Sequence, residues 1–545
     1  MKQIYFLLFI VLTFSLQAQD VQQYKFRVYL KDKGDIDYSV DNPEKFLSLK
    51  AIDRKKRQNV VVDESDFPIS PDYFMQLAQA GGEVISYSKW FKTVVMQLND
   101  SAQIENALNL PFVDSVKYVW KGFVRNKTEI IRPRLFHTAP ADISNVENIH
   151  GLAEKQFVMH NAQNLHKSGF MGKGINVGVI DAGFTNVDVI PFFASNNIVE
   201  YKSFVPDGEV LADSDHGTKV FSTISAVVPG KMMGSATASN FYLLHSEDVS
   251  TEFPVEEDYW VRAVEYADSV GVDLINSSLG YSNFDDKELS YSHDDLNGLT
   301  SIMSQAADMA YDKGMIIVTS AGNEGNKPWE KISVPGDAAK ALTVGAVSSD
   351  SLIASFSSRG FTADGRLKPD VVSVGRGTMT ISKHGNIEPS NGTSFSSPFM
   401  TGLIASLWSI NPDLDRGELL DIVRESGDRF HNPDSVYGNG IPDIGLSASR
   451  VLKTLPLCEG EYEDELFAVS KIGAGRLEFT IKDEKFKPEV YVVSLLDEVG
   501  DVVLQQPFPE EGTNVVSVAE LVEDNDFFHV VVIAPHWQKT VRFKL

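Results

Sequence analysis

The sequence predicts an α/β protein, with a parallel β-sheet covered by helices, a small α+β N-terminal domain and a C-terminal β-sandwich. Three observations lead to this fold class. Between residues 152 and 455, short apolar runs typical of strands buried on both faces alternate with helical stretches. Residues 24–119 combine alternating strands with two helices. Residues 459–545 contain short alternating runs separated by turns, which is the pattern of a small sandwich.

Composition limits the class of function. The chain has 545 residues, which is enough for two to four domains, and its 43% hydrophobic content supports ordinary packed cores. With 49 basic and 75 acidic residues its net charge is −26, which argues against nucleic acid or an anionic membrane as the main partner. Cys458 is the only cysteine, so an internal disulfide framework is excluded. The histidines outside the candidate site lack metal-ligand spacing, so no metal site is predicted from them.

The first 18 residues have the pattern of a secretory signal peptide. An early Lys2 is followed by an apolar run over 4–14 and by Ala18 at the expected cleavage position. The run is too short to span a bilayer comfortably, and no cysteine follows the cleavage position to carry a lipid. We therefore expect an exported protein, secreted or at the cell surface.

Residues 19–120 predict an independent α+β domain. Strands are expected near 24–30, 83–87, 93–98 and 113–119, and helices near 71–80 and 101–108. Residues 121–151 are polar, contain Pro133 and Pro140 and show no sustained periodicity, which predicts a linker.

Four polar residues stand at the ends of predicted elements in the domain 152–455. Asp181 follows the buried strand 175–180, and His216 opens an apolar-striped helix. Asn323 follows the strand 315–318, and Ser394 lies where a glycine-bearing turn runs into a helix. Because ligand sites of parallel sheets lie at the carboxyl ends of the strands, we expect these side chains to face one edge.

These residue types together suit nucleophilic catalysis. A serine hydroxyl needs a base to take its proton, a carboxylate to orient that base, and donors for the oxyanion. The base would be His216, and the carboxylate would be Asp181. The oxyanion donors would be the Asn323 side chain and the Ser394 N–H at a helix N-terminus. Taken singly, each has a structural alternative: a serine N-cap, an aspartate closing a strand, an asparagine serving its own loop. Their joint occurrence favours catalysis.

The motifs resemble those of the subtilisin-like serine proteases, the subtilase family. The matching segments, over roughly 156–452, are Val179-Ile180-Asp181-Ala182-Gly183, His216-Gly217-Thr218, Ala321-Gly322-Asn323-Glu324-Gly325 and Gly392-Thr393-Ser394-Phe395-Ser396-Ser397-Pro398. Departures are Lys219, where the family usually repeats a histidine, and Phe221-Ser222 in place of a small pair. The resemblance implies a serine endopeptidase that needs no cofactor for its chemistry and allows structural calcium (Ca²⁺) in oxygen-rich loops such as 213–215 and 256–258.

The resemblance also implies a set of substrate-binding residues. A medium-to-large apolar side chain is expected before the scissile bond, with Ser333 near the base of its pocket. Glu324 at the rim would also allow a basic side chain there. The implied residues are Ser278, Leu279, Gly280, Ala321, Gly322 and Ser333.

The two ends of the chain resemble accessory domains of exported proteases. Residues 19–120 are similar to a propeptide that serves as chaperone and inhibitor, with a processing site expected in 121–151. After a second linker, 456–473, residues 474–545 are similar to the sorting domains of type IX secretion, with removal expected near 455–464. The alternatives are a permanent N-terminal module and an ordinary β-domain.

Taken together, these features predict an exported endopeptidase made as a self-processing zymogen. Its partners would be protein or peptide substrates, its own N-terminal domain and secretion machinery, with no nucleic acid. Two further functions remain open from the sequence: a binding or adhesion protein that keeps the fold without turnover, and an esterase-like acyl hydrolase.

Overall fold

A computed structural model of the chain describes residues 22–123, 148–472, 476–482, 490–509, 514–517 and 527–544. The predicted signal peptide, 1–18, and residues 124–147 of the predicted linker lie outside these ranges. Within them, no helix combines the length and the apolar character that crossing a membrane requires.

The N-terminal domain is a four-stranded antiparallel sheet with helices on one face. The strand order is β2-β3-β1-β4, and Val28, Val94 and Met96 are fully buried beneath the helices. The predicted strands and the helix near 71–80 are confirmed, and β4 continues to Phe123. The elements are β1 (Gln22–Leu30), α1 (Leu49–Arg57), α2 (Pro71–Gln79), β2 (Glu83–Ser88), β3 (Thr93–Leu98), α3 (Ile104–Leu108) and β4 (Val113–Phe123).

The central domain is built on an eight-stranded sheet, which confirms the predicted fold class. Its order is β16-β15-β12-β11-β10-β5-β9-β6, and every neighbouring pair is parallel except β15 and β16. The strands are β5 (Asn176–Asp181), β6 (Asn197–Ser203), β7 (Val227–Val228), β8 (Met232–Met233), β9 (Asn240–His245), β10 (Leu274–Ser277), β11 (Ile316–Ser320), β12 (Leu342–Ser348), β13 (Gly360–Phe361), β14 (Leu367–Lys368), β15 (Val371–Ile381) and β16 (Ile387–Asn391).

Helices cover both faces of this sheet. One apolar core contains α6 and α9, and a second contains α7 and α8 on the other face. Every residue of α9 is buried, which fixes the position of its N-terminal turn relative to the strand ends. The helices are α4 (Glu154–Met159), α5 (Gln163–Lys167), α6 (His216–Ser225), α7 (Val255–Val270), α8 (Ile302–Asp312), α9 (Thr393–Trp408), α10 (Arg416–Glu425) and α11 (Ile444–Thr454).

The C-terminal strands form two sheets that share one core, as predicted for a β-sandwich. The sheet orders are β17-β25-β24-β21-β22 and β18-β19-β20-β23. On its other face, the five-stranded sheet packs Leu496 and Val531 into the core of the central domain. The strands are β17 (Leu457–Glu459), β18 (Glu461–Glu463), β19 (Phe467–Lys471), β20 (Arg476–Ile481), β21 (Val490–Leu496), β22 (Val502–Pro509), β23 (Asn514–Ser517), β24 (Phe527–Ile533) and β25 (Gln538–Lys544).

The prediction of a linker over 456–473 is wrong. This segment contains β17, β18 and β19, and Phe467 and Val469 fill the sandwich core. β17 pairs with β25 and β18 pairs with β19, so the backbone expected to be cut near 455–464 is largely engaged in sheet hydrogen bonds.

Candidate active site

Asp181 and His216 form a hydrogen-bonded pair at the carboxyl edge of the central sheet. Asp181 is the last residue of β5 and is fully buried, whereas His216 is the first residue of α6 and keeps 35% of its side chain exposed. Asp181 Oδ1 accepts hydrogen bonds from His216 Nδ1 at 2.7 Å and from the Ala182 N–H at 2.8 Å. A carboxylate opposite Nδ1 holds the proton there, so Nε2 is the ring nitrogen left to accept another proton.

Negative charge around the imidazole decides its protonation. Burial alone would lower the pKa of His216, but the charge and hydrogen bond of Asp181 oppose this. Together with Glu247 and Asp215, they raise the pKa of His216 to about 9. The imidazolium is therefore stabilised at this position.

Ser394 lies in the first turn of α9, next to the residues after β10. The Ser394 Oγ–H donates to the carbonyl of Ser278 at a long 3.4 Å, and the Ser278 Oγ–H donates to the carbonyl of Ser394 at 3.0 Å. Within the described residues, Ser394 makes no hydrogen bond to His216. Catalytic hydrogen bonds are often long in enzymes without substrate and shorten when it binds.

Asn323 is held by the residue before Ser394. Its Oδ1 accepts hydrogen bonds from the Thr393 N–H at 2.9 Å and from the Thr393 hydroxyl at 3.1 Å. Both acceptor positions of the amide oxygen are thereby used, which leaves the Nδ2 hydrogens for a ligand. Gly322 has φ +104°, and a Cβ there would lie 2.7 Å from Ser333 Oγ, so this turn requires glycine.

One cavity of about 360 Å³ brings these residues together. His216, Asn323 and Ser394 line it, as do five of the six residues expected to bind substrate: Ser278, Leu279, Gly280, Gly322 and Ser333. The sixth, Ala321, is fully buried behind the wall, where its carbonyl accepts a hydrogen bond from the Ser333 N–H. Asp181 supports His216 from below and does not line the cavity.

Comparison with known proteins decides the family of this domain. Residues 172–440 match the family model described as Subtilase family, and residues 25–132 match the model described as Peptidase S8 propeptide domain, Bacteroidota. The chain contains a subtilase domain. It is a serine endopeptidase, and its N-terminal domain is a peptidase S8 propeptide domain.

Relatives of the subtilase domain are known from several bacteria. Serine protease AprX of Bacillus subtilis (strain 168) is 25% identical over 350 residues, which cover 57% of this chain and 76% of the relative. Subtilisin E of the same organism is 26% identical over 376 residues, covering 68% and 84%. Subtilisin DY of Bacillus licheniformis is 28% identical over 301 residues, covering 53% and 95%.

The departures from the family pattern are accommodated around α6 of the subtilase domain. Lys219 forms a salt bridge with Glu388 at 2.8 Å. Phe221 is fully buried against Phe193 and Phe241, and the Ser222 hydroxyl accepts a hydrogen bond from the Ile381 N–H at 2.8 Å. The packing behind His216 is thus complete without the usual small residues.

The carboxylates of the two runs proposed for calcium differ in their surroundings, and Glu256 lies with Glu247 and Glu252 in a group whose carboxylate oxygens are within 4.8 Å of one another. Asp258 forms a bidentate pair with Arg27, and Glu257 accepts hydrogen bonds from Tyr291 and Ser301. Asp213 accepts the Glu209 N–H at 2.7 Å. Asp213, Glu257 and Asp258 thus have partners within the protein, and structural calcium in these runs stays a prediction.

Two residues of the site were not predicted from the sequence. Thr393 holds the Asn323 side chain through two hydrogen bonds. The position of Thr393 directly before Ser394 in the serine motif is the sequence signal that could have identified it. Glu247 lines the cavity beside His216, and burial together with the charges of Asp181 and Glu252 raises the pKa of Glu247 to about 7. No motif marks Glu247 because it lies in an irregular loop after β9.

Proposed function

We propose that this subtilase domain cleaves protein substrates through an acyl-enzyme on Ser394, with Asp181, His216 and Ser394 as a catalytic triad. The observation that carries the proposal is the cavity shared by His216, Asn323 and Ser394, with His216 Nδ1 held 2.7 Å from buried Asp181. In the first step His216 Nε2 takes the hydroxyl proton while Ser394 Oγ bonds to the substrate carbonyl carbon.

The developing oxyanion is stabilised by the Asn323 Nδ2–H and the Ser394 N–H at the start of α9. The imidazolium then gives its proton to the leaving amine, and the peptide C–N bond breaks. A water molecule, deprotonated by His216, hydrolyses the ester and restores the Ser394 hydroxyl. The six substrate-binding residues named from the sequence are retained in this proposal.

We propose further that the propeptide domain inhibits the enzyme until it is removed by self-processing. The end of β4 contacts the subtilase domain: the Trp120 indole N–H donates to the Thr251 hydroxyl at 3.0 Å, and Lys121 Nζ lies 3.6 Å from Asp286 Oδ2. Thr251 belongs to the loop that continues from the cavity-lining Glu247. These contacts support the expectation that the newly folded triad cuts the chain after Phe123.

Expression of the wild type beside Ser394→Ala tests this proposal. The wild type is expected to shorten by about the mass of residues 19–140, and Ser394→Ala to stay uncut, because only the mutant lacks the nucleophile. Mass spectrometry of the two products measures the outcome. Identical full-length chains from both, with peptidase activity present, would contradict removal of the propeptide domain.

The pH dependence of turnover should follow the protonation of His216. Only neutral imidazole can accept the Ser394 proton, and its pKa is raised to about 9, so kcat/KM of the processed enzyme is expected to rise with pH above neutrality. Glu247→Gln removes a negative charge that favours imidazolium, so the rising limb should move to lower pH. Glu324→Gln is the control, because Glu324 lines the same cavity but pairs with Lys327 at 2.8 Å. A limb that stays in place or moves upward in Glu247→Gln would contradict this assignment.

We also propose export through the signal peptide 1–18, with 474–545 acting as a type IX sorting domain. The support is sequence similarity, and the described strands are compatible with it because they form a sandwich. Cell fractionation of chains with and without each segment tests the proposal.

A further inference from the structure

The five-stranded sheet of the C-terminal sandwich is buried on both of its faces. In β24, Val530 and Val532 lie in the sandwich core, whereas Val531 between them is fully buried in the core of the subtilase domain. In β21 the same alternation places Leu495 in the sandwich core and Leu496 in the core of the subtilase domain. An antiparallel sheet with one face in water alternates apolar and polar residues. The continuous burial of these strands therefore reflects an outer face that the subtilase domain covers.

Two glycines, one in each domain, allow the domains to approach closely. Gly169 follows α5 with φ +89°, and a Cβ there would collide with Ile533 Cδ1 of the sandwich. Gly500 lies between β21 and β22 with φ +98°, and a Cβ there would lie 3.0 Å from Leu452 Cδ1 of α11. Each glycine thus leaves space for an apolar side chain of the other domain, so the two surfaces are complementary in shape.

Hydrogen bonds accompany this apolar contact. The Asn164 side-chain amide donates to Asp501 Oδ1 at 2.6 Å. The Lys173 ammonium donates to the carbonyls of Ala534 and Pro535, the second at 3.1 Å. The contact between the two domains therefore combines apolar packing with polar pairs, as specific protein interfaces do.

The connection between the two domains is short. α11 ends at Thr454 and β17 begins at Leu457, so two residues join the domains. β17 pairs in parallel with β25, which ties the connection into the same five-stranded sheet. The sandwich is therefore held against the subtilase domain at its connection as well as at its face.

We propose that the C-terminal sandwich is a permanent part of the mature enzyme, because it completes the core of the subtilase domain. The partner surface is formed by residues 164–173 and α11, and its occupant is the sheet face that carries Leu496 and Val531. The proposal goes beyond the proposed sorting role, since it holds whether or not the sandwich also directs export. In it, separation of the sandwich would expose apolar core to water, and the protease would lose stability.

The test uses the whole chain with Ser394→Ala, so that self-processing does not interfere. A recognition site for an unrelated, site-specific endopeptidase is placed between Pro456 and Leu457, which are both exposed. The chain is cut there from outside, and size-exclusion chromatography over time shows whether the sandwich leaves the remainder. Because neither export nor Ser394 takes part, failure of the proposed sorting role or of the proposed triad would leave this measurement readable.

The proposal predicts an ordered series of dissociation rates. The fragment with an unchanged interface should co-elute with the remainder. Val531→Asp should dissociate about a hundred-fold faster, because a carboxylate would be buried without a partner in an apolar core. Asn164→Ala/Lys173→Ala should dissociate about tenfold faster, because the hydrogen bonds of both side chains are lost. Val515→Asp is the matched control: Val515 is 48% exposed on the other sheet, and this variant should behave as the unchanged chain.

Thermal unfolding gives a second measurement. The cut chain with an unchanged interface should unfold at the temperature of the uncut chain. The remainder from which the Val531→Asp sandwich has separated should unfold several degrees lower, because its apolar surface beside α11 has lost its cover. A remainder that unfolds at the temperature of the uncut chain would contradict a sandwich that completes the core.

Two chromatographic outcomes would also overturn the proposal. One is immediate separation of the fragment with an unchanged interface. The other is equal retention of the Val531→Asp and Val515→Asp fragments. If Val531→Asp does not fold, Asn164→Ala/Lys173→Ala replaces it, and equal dissociation rates for that variant and Val515→Asp would then overturn the proposal.

Discussion

Ser394→Ala and His216→Ala are each expected to lower the turnover of the processed enzyme about a million-fold. The physical reason is that the serine and the imidazole act in one step: the hydroxyl cannot attack without losing its proton, and His216 is the group that takes it. His216 is already fixed for this step by the 2.7 Å hydrogen bond to Asp181. Single-turnover and steady-state peptide hydrolysis measure the loss.

The double variant Ser394→Ala/His216→Ala is the decisive control. It should lose little beyond either single variant, because residues that act as a unit are strongly non-additive. All variants need external removal of the N-terminal domain so that differences in processing do not enter the rates. Losses that add in the double variant would contradict a shared step.

Asn323→Ala should lower kcat about a hundred- to a thousand-fold and leave KM nearly unchanged. The amide oxygen of Asn323 is occupied by two hydrogen bonds from Thr393, so the amino group is presented to charge that exists only in the transition state. Steady-state kinetics on a peptide substrate separate kcat from KM.

Asn326→Ala is the matched control for Asn323, because Asn326 is exposed in the same loop. It should keep the kinetics of the wild type. If Asn323→Ala changed only KM, the role of Asn323 would be substrate binding and not oxyanion stabilisation.

The candidate site could be predicted because each of its main residues carries a local signal. Asp181 follows a continuous apolar strand, His216 starts a striped helix, and Ser394 follows a glycine at a helix start. Such signals depend only on a few neighbours along the chain. Glu247 has no such signal, since its position beside His216 depends on how a loop folds back over the sheet edge.

Helix α1 was not predicted from the sequence because several of its buried residues are charged and not apolar. Its inward residues include Arg54 and Lys55, which are buried by pairing with Asp268 and Asp66 more than 10 residues away along the chain. Without an apolar stripe the segment resembles an exposed loop. The strands over 456–473 were missed for a related reason: β17 is short, and its partner β25 lies at the far end of the chain.

Labelling with an active-site-directed fluorophosphonate tests the central claim most directly. After the N-terminal domain has been removed, the wild type should take up one equivalent, and peptide mapping should place the adduct on Ser394. Ser394→Ala should remain unlabelled, and His216→Ala should react far more slowly. An adduct on a different residue, or an unlabelled chain that still hydrolyses peptides, would contradict the account.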